Sequence, residues 1–445
     1  MMAETKRYPA YRAARMRWLP PVPEHWNEQR AKTFFHEVDE RSKTGHEELL
    51  SVSHITGVTP RSQKNVTMFK AASYVGSKLC RPGDIVINTL WAWMAALGTS
   101  KHAGIVSPAY GVYRPHSADS FNPVYLDYLL RTRVYVAEYI GRSTGIQSSR
   151  LRLYPNQFLD IPLLQPPRAE QDQVVAYLRA KDAHIARFIK AKRDLIALLT
   201  EQKLRLIDHA VTHGIDASVK LKPSGIEWMG EVPQHWSVVR LKWVCRFTYG
   251  DSLSDANRRQ GNVPVFGSNG PVGMHDTSNS MGPCIVIGRK GSFGKVNYSE
   301  SDLFAIDTTY FVDRRCTKAN IRWLYYLLVW CRLDRISKDS AVPGLDRTDA
   351  LNTLVPLPDG AEQERIAKQL DIETAEVNGA IAKVEDEIKL IREYRDRLIA
   401  DVVTGQVDVR GWQPGSDDIV NDEELAAFGD EQEELADEED DDGED

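Results

Sequence analysis

One feature constrains this chain above all others: it is written twice. Trp18-Leu-Pro-Pro-Val-Pro-Glu-His-Trp26 returns 210 residues later as Trp228-Met-Gly-Glu-Val-Pro-Gln-His-Trp236, and Arg30 and Lys32 return as Arg240 and Lys242 at the same offset. Asp84-Ile-Val-Ile-Asn88 aligns with Cys284-Ile-Val-Ile-Gly288 at an offset of 200, as do Tyr110 with Tyr310 and Val112 with Val312. Glu170-Gln171, Leu178, Leu206-Ile207, Val211-Thr212 and Asp216 all return 192 residues on, as Glu362-Gln363, Leu370, Leu398-Ile399, Val403-Thr404 and Asp408. A sequence repeat implies a repeated structural unit. The drift from 210 to 192 places the length differences inside variable segments and leaves the frame between them intact.

Each copy is a mixed lobe followed by a long helix. The lobes, about 18–165 and 228–358, hold short β-rich runs broken by Gly, Pro, Asn and Ser. The segments about 168–213 and 361–404 read as helices. Pro166-Pro167 opens the first, where a missing N–H costs nothing, and Asp359-x-x-Glu362 opens the second like a capping box. In the first helix Leu178, Ile185, Leu199 and Leu206 keep a seven-residue spacing, with Ile189 and Ile196 on the companion line and Lys192 as an interruption. In the second, Leu370, Val377, Val384, Ile391 and Leu398 fall seven apart, with Ile381 and Ile388 beside them. Such a repeat wants a partner helix along its length, and the obvious partner of each is the other. The expected fold is therefore α+β: two mixed lobes, each followed by a long helix, the helices pairing as an antiparallel coiled coil with pseudo-twofold symmetry. The expected boundaries are 1–165, 166–216, 217–358, 359–410 and a tail of 411–445.

Composition narrows the class. The 445 residues are too many for one ordinary core, and no apolar run approaches the roughly 18 residues of a membrane span. Met1 to Arg17 lacks the apolar stretch of a signal peptide. Five scattered cysteines without a C-x-x-C pair fit reduced thiols in a cytoplasm rather than a disulfide frame or a zinc site. The net charge of −7 hides a division: Ser416 to Asp445 carries 17 Asp and Glu and no Lys or Arg, leaving +10 on the rest. The tail reads as a disordered, solvated block, or as a competitor with a polyanion for the basic body.

Two diverged lobes on paired helices suit the reading of two DNA blocks. A rod of roughly 36 residues is about 54 Å long, the scale of half-sites one turn (about 34–36 Å) apart. Gly288-Arg-Lys-Gly-Ser-Phe-Gly-Lys295 places Arg289, Lys290, Ser292 and Lys295 on a Gly-rich loop suited to phosphate or guanine contact; a solvated basic hairpin is the alternative. Asn269, in Gly267-Ser-Asn-Gly270, turns the chain or reads adenine. In the first lobe Arg142, Ser143, Gln147 and Arg150 share a polar loop whose positional counterpart runs from Lys338 to Arg347. Trp91 and Trp93 read as packing.

Near-motifs of enzymes fail on inspection. Gly288 to Gly294 encloses five residues where a P-loop has four, and Val296 stands where Ser or Thr would hold magnesium. Ser107-Pro-Ala-Tyr110 resembles an adenine-methyltransferase motif but lacks its second Pro and its amide, and its counterpart Asp307-Thr-Thr-Tyr310 keeps only the Tyr. Pro358-Asp359, Glu362 and Glu364 sit at a helix start, where acids favour the dipole. His25 and His235, without an acid nearby in sequence, read as packing or capping. No catalytic constellation and no metal site emerges.

The twice-used Trp-x-x-x-Val-Pro-x-His-Trp opening resembles the start of each target-recognition domain in specificity subunits of type I restriction-modification enzymes. Leu163 to Asp216 and Leu357 to Asp408 are similar to that family's two helical regions, and Ser107-Pro-Ala-Tyr110 also occurs in such domains. The resemblance covers about 17–410. It implies that each recognition domain reads one block of a split double-stranded DNA target through the major groove. The helices would set the spacer and dock two modification subunits, which methylate adenine with S-adenosylmethionine. Restriction subunits would add ATP- and Mg-dependent translocation and cleavage. This chain would hold none of these cofactors, and the acidic tail departs from the family frame. Two alternatives remain: the recognition module of a fused or freestanding DNA-modifying enzyme, and a coiled-coil scaffold without a DNA role.

Overall fold

The computed structural model describes residues 6–63, 73–145, 151–336, 344–418, 420–421 and 425. The chain divides into two compact units, one drawing on Met1–Ala191 and Glu387–Glu439, the other chiefly on Lys192–Asp386. Two long helices, Arg168–His213 and Gly360–Val403, contribute to both. Among the described residues no helix is long and apolar enough to cross a membrane.

The first unit is built on a four-stranded antiparallel sheet in the order Phe35–Glu37, Gly111–Pro115, Ile85–Ile87, Leu97–Thr99. The Ile85–Ile87 run seen in the repeat is its fully buried inner strand, which is why it is apolar at every position. Helices Pro123–Leu130 and Arg133–Arg142 supply Tyr125, Leu129, Tyr135 and Tyr139 to a core completed by Val174, Leu178, Leu398, Val402 and Val403 of the long helices. The start of the first long helix therefore shares a core with the end of the second.

The second unit repeats the plan. Its sheet runs Thr248–Tyr249, Thr309–Val312, Cys284–Gly288, Val296–Ser299, all antiparallel. Cys284–Gly288 is again buried throughout. A three-stranded sheet of Pro271–His275, Val263–Phe266 and Phe304–Ala305 is added at its side. Helix Ile321–Trp330 packs with Ile207, Ala210, Val211, Ile366 and Leu370, so the end of the first long helix shares this core with the start of the second.

The repeated motifs meet at one joint in each unit. Strand Asn27–Arg30 pairs with Pro162–Gln165 on the way into the first long helix, and Ser237–Arg240 pairs with Leu354–Leu357 on the way into the second. Glu170 accepts hydrogen bonds from Trp26 Nε1 (2.9 Å) and Tyr8 OH (2.6 Å) and lies 2.8 Å from His25 Nε2. Glu362 accepts from Trp236 Nε1 (2.7 Å) and lies 2.9 Å from His235 Nε2. The adjoining glutamine does the same work twice: Gln171 accepts from Asn122 N and donates to Pro166 O, and Gln363 accepts from Asn320 N and donates to Pro358 O. Asn122 and Asn320 in turn cap the lobe helices that follow them. Sequence distance hid the histidines' partners: each finds its acid only after more than a hundred residues of intervening lobe. Asp359 does cap its helix through Glu362 N (2.8 Å), while the Glu362 carboxylate is directed to the tryptophan.

Both long helices end on a left-handed glycine. Gly214 (φ 76°) sits against Trp236, and a Cβ on Gly405 (φ 79°) would come within 2.3 Å of Pro23. In the first unit the chain beyond Gly405 meets the N-terminal segment, with Asp408 N donating to Lys6 O (2.8 Å) and Tyr11 OH donating to Gly405 O (3.0 Å). It continues along the first long helix, where Gln173 donates to Trp412 O, Trp412 meets the edge of Tyr177, and His184 lies 2.8 Å from Asp418. Most of the acidic tail, 426–445, lies outside the described residues.

Burial lifts the thiols of Cys80 and Cys284 to about 11 and about 12, and raises that of Cys245 further. A thiolate is the reactive form. These three cysteines are therefore expected to react with Ellman's reagent at pH 7.5 only on unfolding. Rapid labelling of all five thiols in the native protein would contradict this burial.

Candidate nucleic-acid interface

In the second unit the structure gathers the sequence candidates at one end of the sheet. Strand Cys284–Gly288 leads into the basic loop, and Gly288 N bonds Lys295 O while Gly294 N bonds Gly288 O, closing it tightly. Gly294 (φ 78°) admits no side chain, because a Cβ would lie 2.1 Å from Asp334 N. Arg289, Lys290, Ser292 and Lys295 are thereby displayed on a fixed backbone. Asn269 sits in the neighbouring turn, with Gly267 N bonded to Gly270 O, and its side-chain oxygen accepts from Lys295 Nζ. Lys290 forms a bridge with Gly344, and Leu345 N donates to Arg289 O, which brings the segment ending at Arg347 alongside.

Tyr249 lies at the centre of this cluster, a residue that sequence reasoning passed over. Its ring is 47% exposed, and the guanidinium groups of Arg289 and Arg347 lie 5.5 and 5.0 Å from its centroid. It stands at the end of the edge strand Thr248–Tyr249, and nothing in its local sequence marks it. Beneath it, burial lifts Tyr310 to about 12, and that hydroxyl donates to Leu345 O. A cavity of about 460 Å³ adjoins the loop, lined by Ser292 and Lys295 together with Lys203, Arg322 and Arg332. Arg322 is already engaged, by Asp371 (2.6 Å) and the rings of Tyr298, Tyr325 and Tyr326.

The first unit's candidates are placed differently. Arg142 ends helix Arg133–Arg142 and is held by Glu138 (2.6 Å) and Asp160 (3.5 Å). Ser143 follows as the cap, its N–H bonded to Tyr139 O. Gln147 and Arg150 lie outside the described residues. Of the helix-pairing candidates, Leu178, Ile185, Ile189, Leu370, Val377, Val384, Ile388 and Leu398 are buried; Ile196, Leu199, Leu206, Ile381 and Ile391 are half-buried. Polar contacts link the two helices within each unit: Arg395 to Asp182 (2.6 and 3.1 Å) in the first, and Lys203 to Asn378 (3.1 Å) in the second. The aligned tyrosines act structurally, Tyr110 accepting from Asn88 Nδ2 as Tyr310 donates to Leu345 O. Among the described residues no group of three or more His, Cys, Asp or Glu could hold a metal ion.

Known proteins resemble this chain in sequence and fold. Residues 233–390 match the family model of the type I restriction modification DNA specificity domain. The specificity subunits of the type I restriction enzymes EcoDI and EcoBI of Escherichia coli are 23% identical over 186 residues and 22% identical over 204. Those matches cover 41% and 43% of this chain and the same shares of the relatives, so the chain spans less than half the length of either. A chain from a solved type I R-M system superimposes with a TM-score of 0.59 at 16% identity, covering 87% of this chain and 99% of that one. The HsdS subunit of Thermoanaerobacter tengcongensis gives 0.41 at 15% identity over 87% and 98%.

Proposed function

We propose that this chain, whose residues 233–390 match the family model of the type I restriction modification DNA specificity domain, is the non-catalytic, DNA-reading subunit of a type I restriction-modification complex. Its two lobes read the two blocks of a split target. The long helices pair as an antiparallel coiled coil with pseudo-twofold symmetry, set the spacer and position two modification subunits; restriction subunits join that core in the cytoplasm. S-adenosylmethionine, ATP and Mg belong to those partners. The observation that carries the reading is the duplicated joint: Trp, His, Glu, Gln and Asn make the same hydrogen bonds in both units, while the loops the lobes display differ. One frame with two different surfaces suits two different base blocks. The shared cores of opposite helix ends support the antiparallel pairing.

Co-expression with a modification subunit, read by methylome sequencing, tests this. The expected result is adenine methylation at a split motif that neither chain yields alone. Methylation by this chain alone, or none from the pair, overturns the proposal. Replacing Arg289 and Lys290 together by Ala is expected to weaken binding and to reduce the slope of log affinity against log salt by about 1, since each lost phosphate contact removes roughly 0.9 and, of the two side chains, Lys290 is the one not held by a carbonyl among the described residues. Filter binding of the assembled complex across a salt series measures it, and an unchanged slope removes the loop from the DNA.

A further inference from the structure

We infer that the second unit reads a guanine through Arg347, with Tyr249 as the platform beneath it and Arg289 as a fixed positive neighbour. This rests on the proposed DNA-reading role and adds to it the identity of one base. The two arginines on Tyr249 are not equivalent. Arg289 is spoken for: its Nε and NH2 donate to Asp307 O at 3.2 and 2.8 Å, and its backbone is bonded to Thr308 O and Leu345 N. Arg347 is exposed, and its guanidinium makes no hydrogen bond or ion pair among the described residues.

The backbone of Arg347 is nevertheless held. It is the first residue of the short helix Arg347–Asn352, and the Asp346 carboxylate is committed to Thr348 N (2.7 Å) and Asp349 N (2.9 Å). A planar fork of five donors thus rests on an aromatic face, with no acceptor among the described residues. Setting two guanidinium groups against one ring costs repulsion, which an electron-rich ligand between or above them relieves. In the major groove guanine offers O6 and N7 side by side, the pair of acceptors an arginine fork fits. Stacking on Tyr249 orders the side chain beforehand and lowers the entropy lost on contact. A DNA phosphate would also accept from this fork, so the two sources must be separated by experiment.

Among the described residues the cluster belongs to the second unit. The structure aligns Arg347 with Pro155 rather than with the end of the first lobe's polar loop, each opening a short helix 192 residues from the other; at the other repeat offsets Thr89 stands where Arg289 does and Asp39 where Tyr249 does. Thr89 is buried and donates to Ala109 O. The guanine requirement set by this cluster is therefore confined to one block of the target.

The test uses the full chain co-expressed with its modification subunit, and compares methylated motifs for the parent, R347A and R347K. The expected result is that one G·C position in one half of the motif becomes degenerate in R347A, with the other half unchanged. R347K should show a smaller loss in the same direction, because an ammonium can still donate to O6 and N7 but lacks the planar fork that stacking on Tyr249 holds in place. Placing 7-deazaguanine at that position should weaken parent binding about 10-fold or more and leave R347A binding unaffected. Retention of the full motif by both variants, or uniform weakening on every sequence with a shallower salt slope, overturns the guanine assignment in favour of a phosphate contact and leaves the DNA-reading role standing. A parent complex that methylates no split motif overturns the role itself.

Discussion

Asp182→Ala is expected to be among the most damaging single substitutions in the long helices, costing about 3 kcal/mol of unfolding free energy. Asp182 is buried, receives Arg395 from the other long helix through two bonds, and accepts from Tyr128 OH (2.7 Å). Its removal takes two bonds from the Arg395 guanidinium and the acceptor from the Tyr128 hydroxyl. Breaking a buried pair typically costs about 3–5 kcal/mol. The lower end applies because the Arg395 side chain keeps 23% of its surface and can reach water. The second unit supplies the control. At the offset of 192, Thr374 and Lys203 stand for Asp182 and Arg395, and Tyr326, six residues after the capping Asn320, stands for Tyr128, six after Asn122; there Tyr326 OH and Thr374 Oγ1 lie 3.0 Å apart while Lys203 turns to Asn378. Thr374→Ala removes a neutral hydroxyl and should cost about 1 kcal/mol. Asp182→Leu combined with Arg395→Met should recover most of the loss, since an apolar pair of similar size replaces a buried ion pair at little cost. Urea denaturation of the three variants measures this; an Asp182→Ala effect no larger than that of Thr374→Ala would show that the pair contributes no more than a neutral contact.

The frame was legible in sequence because its parts are local and periodic. Helix extents follow from apolar spacing and end signals, so the expected 168–213 and 361–404 differ from the observed Arg168–His213 and Gly360–Val403 by at most a residue. The buried strand at Cys284–Gly288 was readable for the same reason: an apolar run between turn residues has few other homes. Non-local pairings were not legible. Nothing near His25 points to Glu170, and nothing near Tyr249 points to Arg289 or Arg347, because these contacts are made by folding across a lobe. The basic loop was visible as composition; what distinguishes Arg289 from Arg347 is that the Arg289 guanidinium meets the Asp307 carbonyl while that of Arg347 meets none among the described residues, and no sequence pattern encodes that. Likewise the first lobe's Arg142 looked as available as Arg347, yet it is claimed by Glu138 and Asp160.

Those non-local joints should be where the fold is most sensitive, and the duplication makes the expectation quantitative. Glu170→Ala removes the acceptor of a buried indole N–H and of the Tyr8 hydroxyl, and the partner of His25. Glu362→Ala removes the acceptor of one indole and the partner of one imidazole. Each buried donor left unsatisfied costs about 1–3 kcal/mol. Both histidines are partly exposed, so water can replace their partner, and the cost falls on Trp26 with Tyr8 in one unit and on Trp236 in the other. Glu170→Ala is thus expected to cost about 3 kcal/mol and Glu362→Ala about 2 kcal/mol by the same rule. With the usual dependence on domain size, these correspond to Tm losses of about 6–12 °C and about 4–8 °C for the affected unit. Because each glutamate closes the joint of its own unit, calorimetry should show the loss in one transition while the other keeps its midpoint. Gln at either position retains a carbonyl acceptor for the indole and should recover about half of the loss. Equal and concerted loss for the two Ala variants would mean that the joints do not act unit by unit.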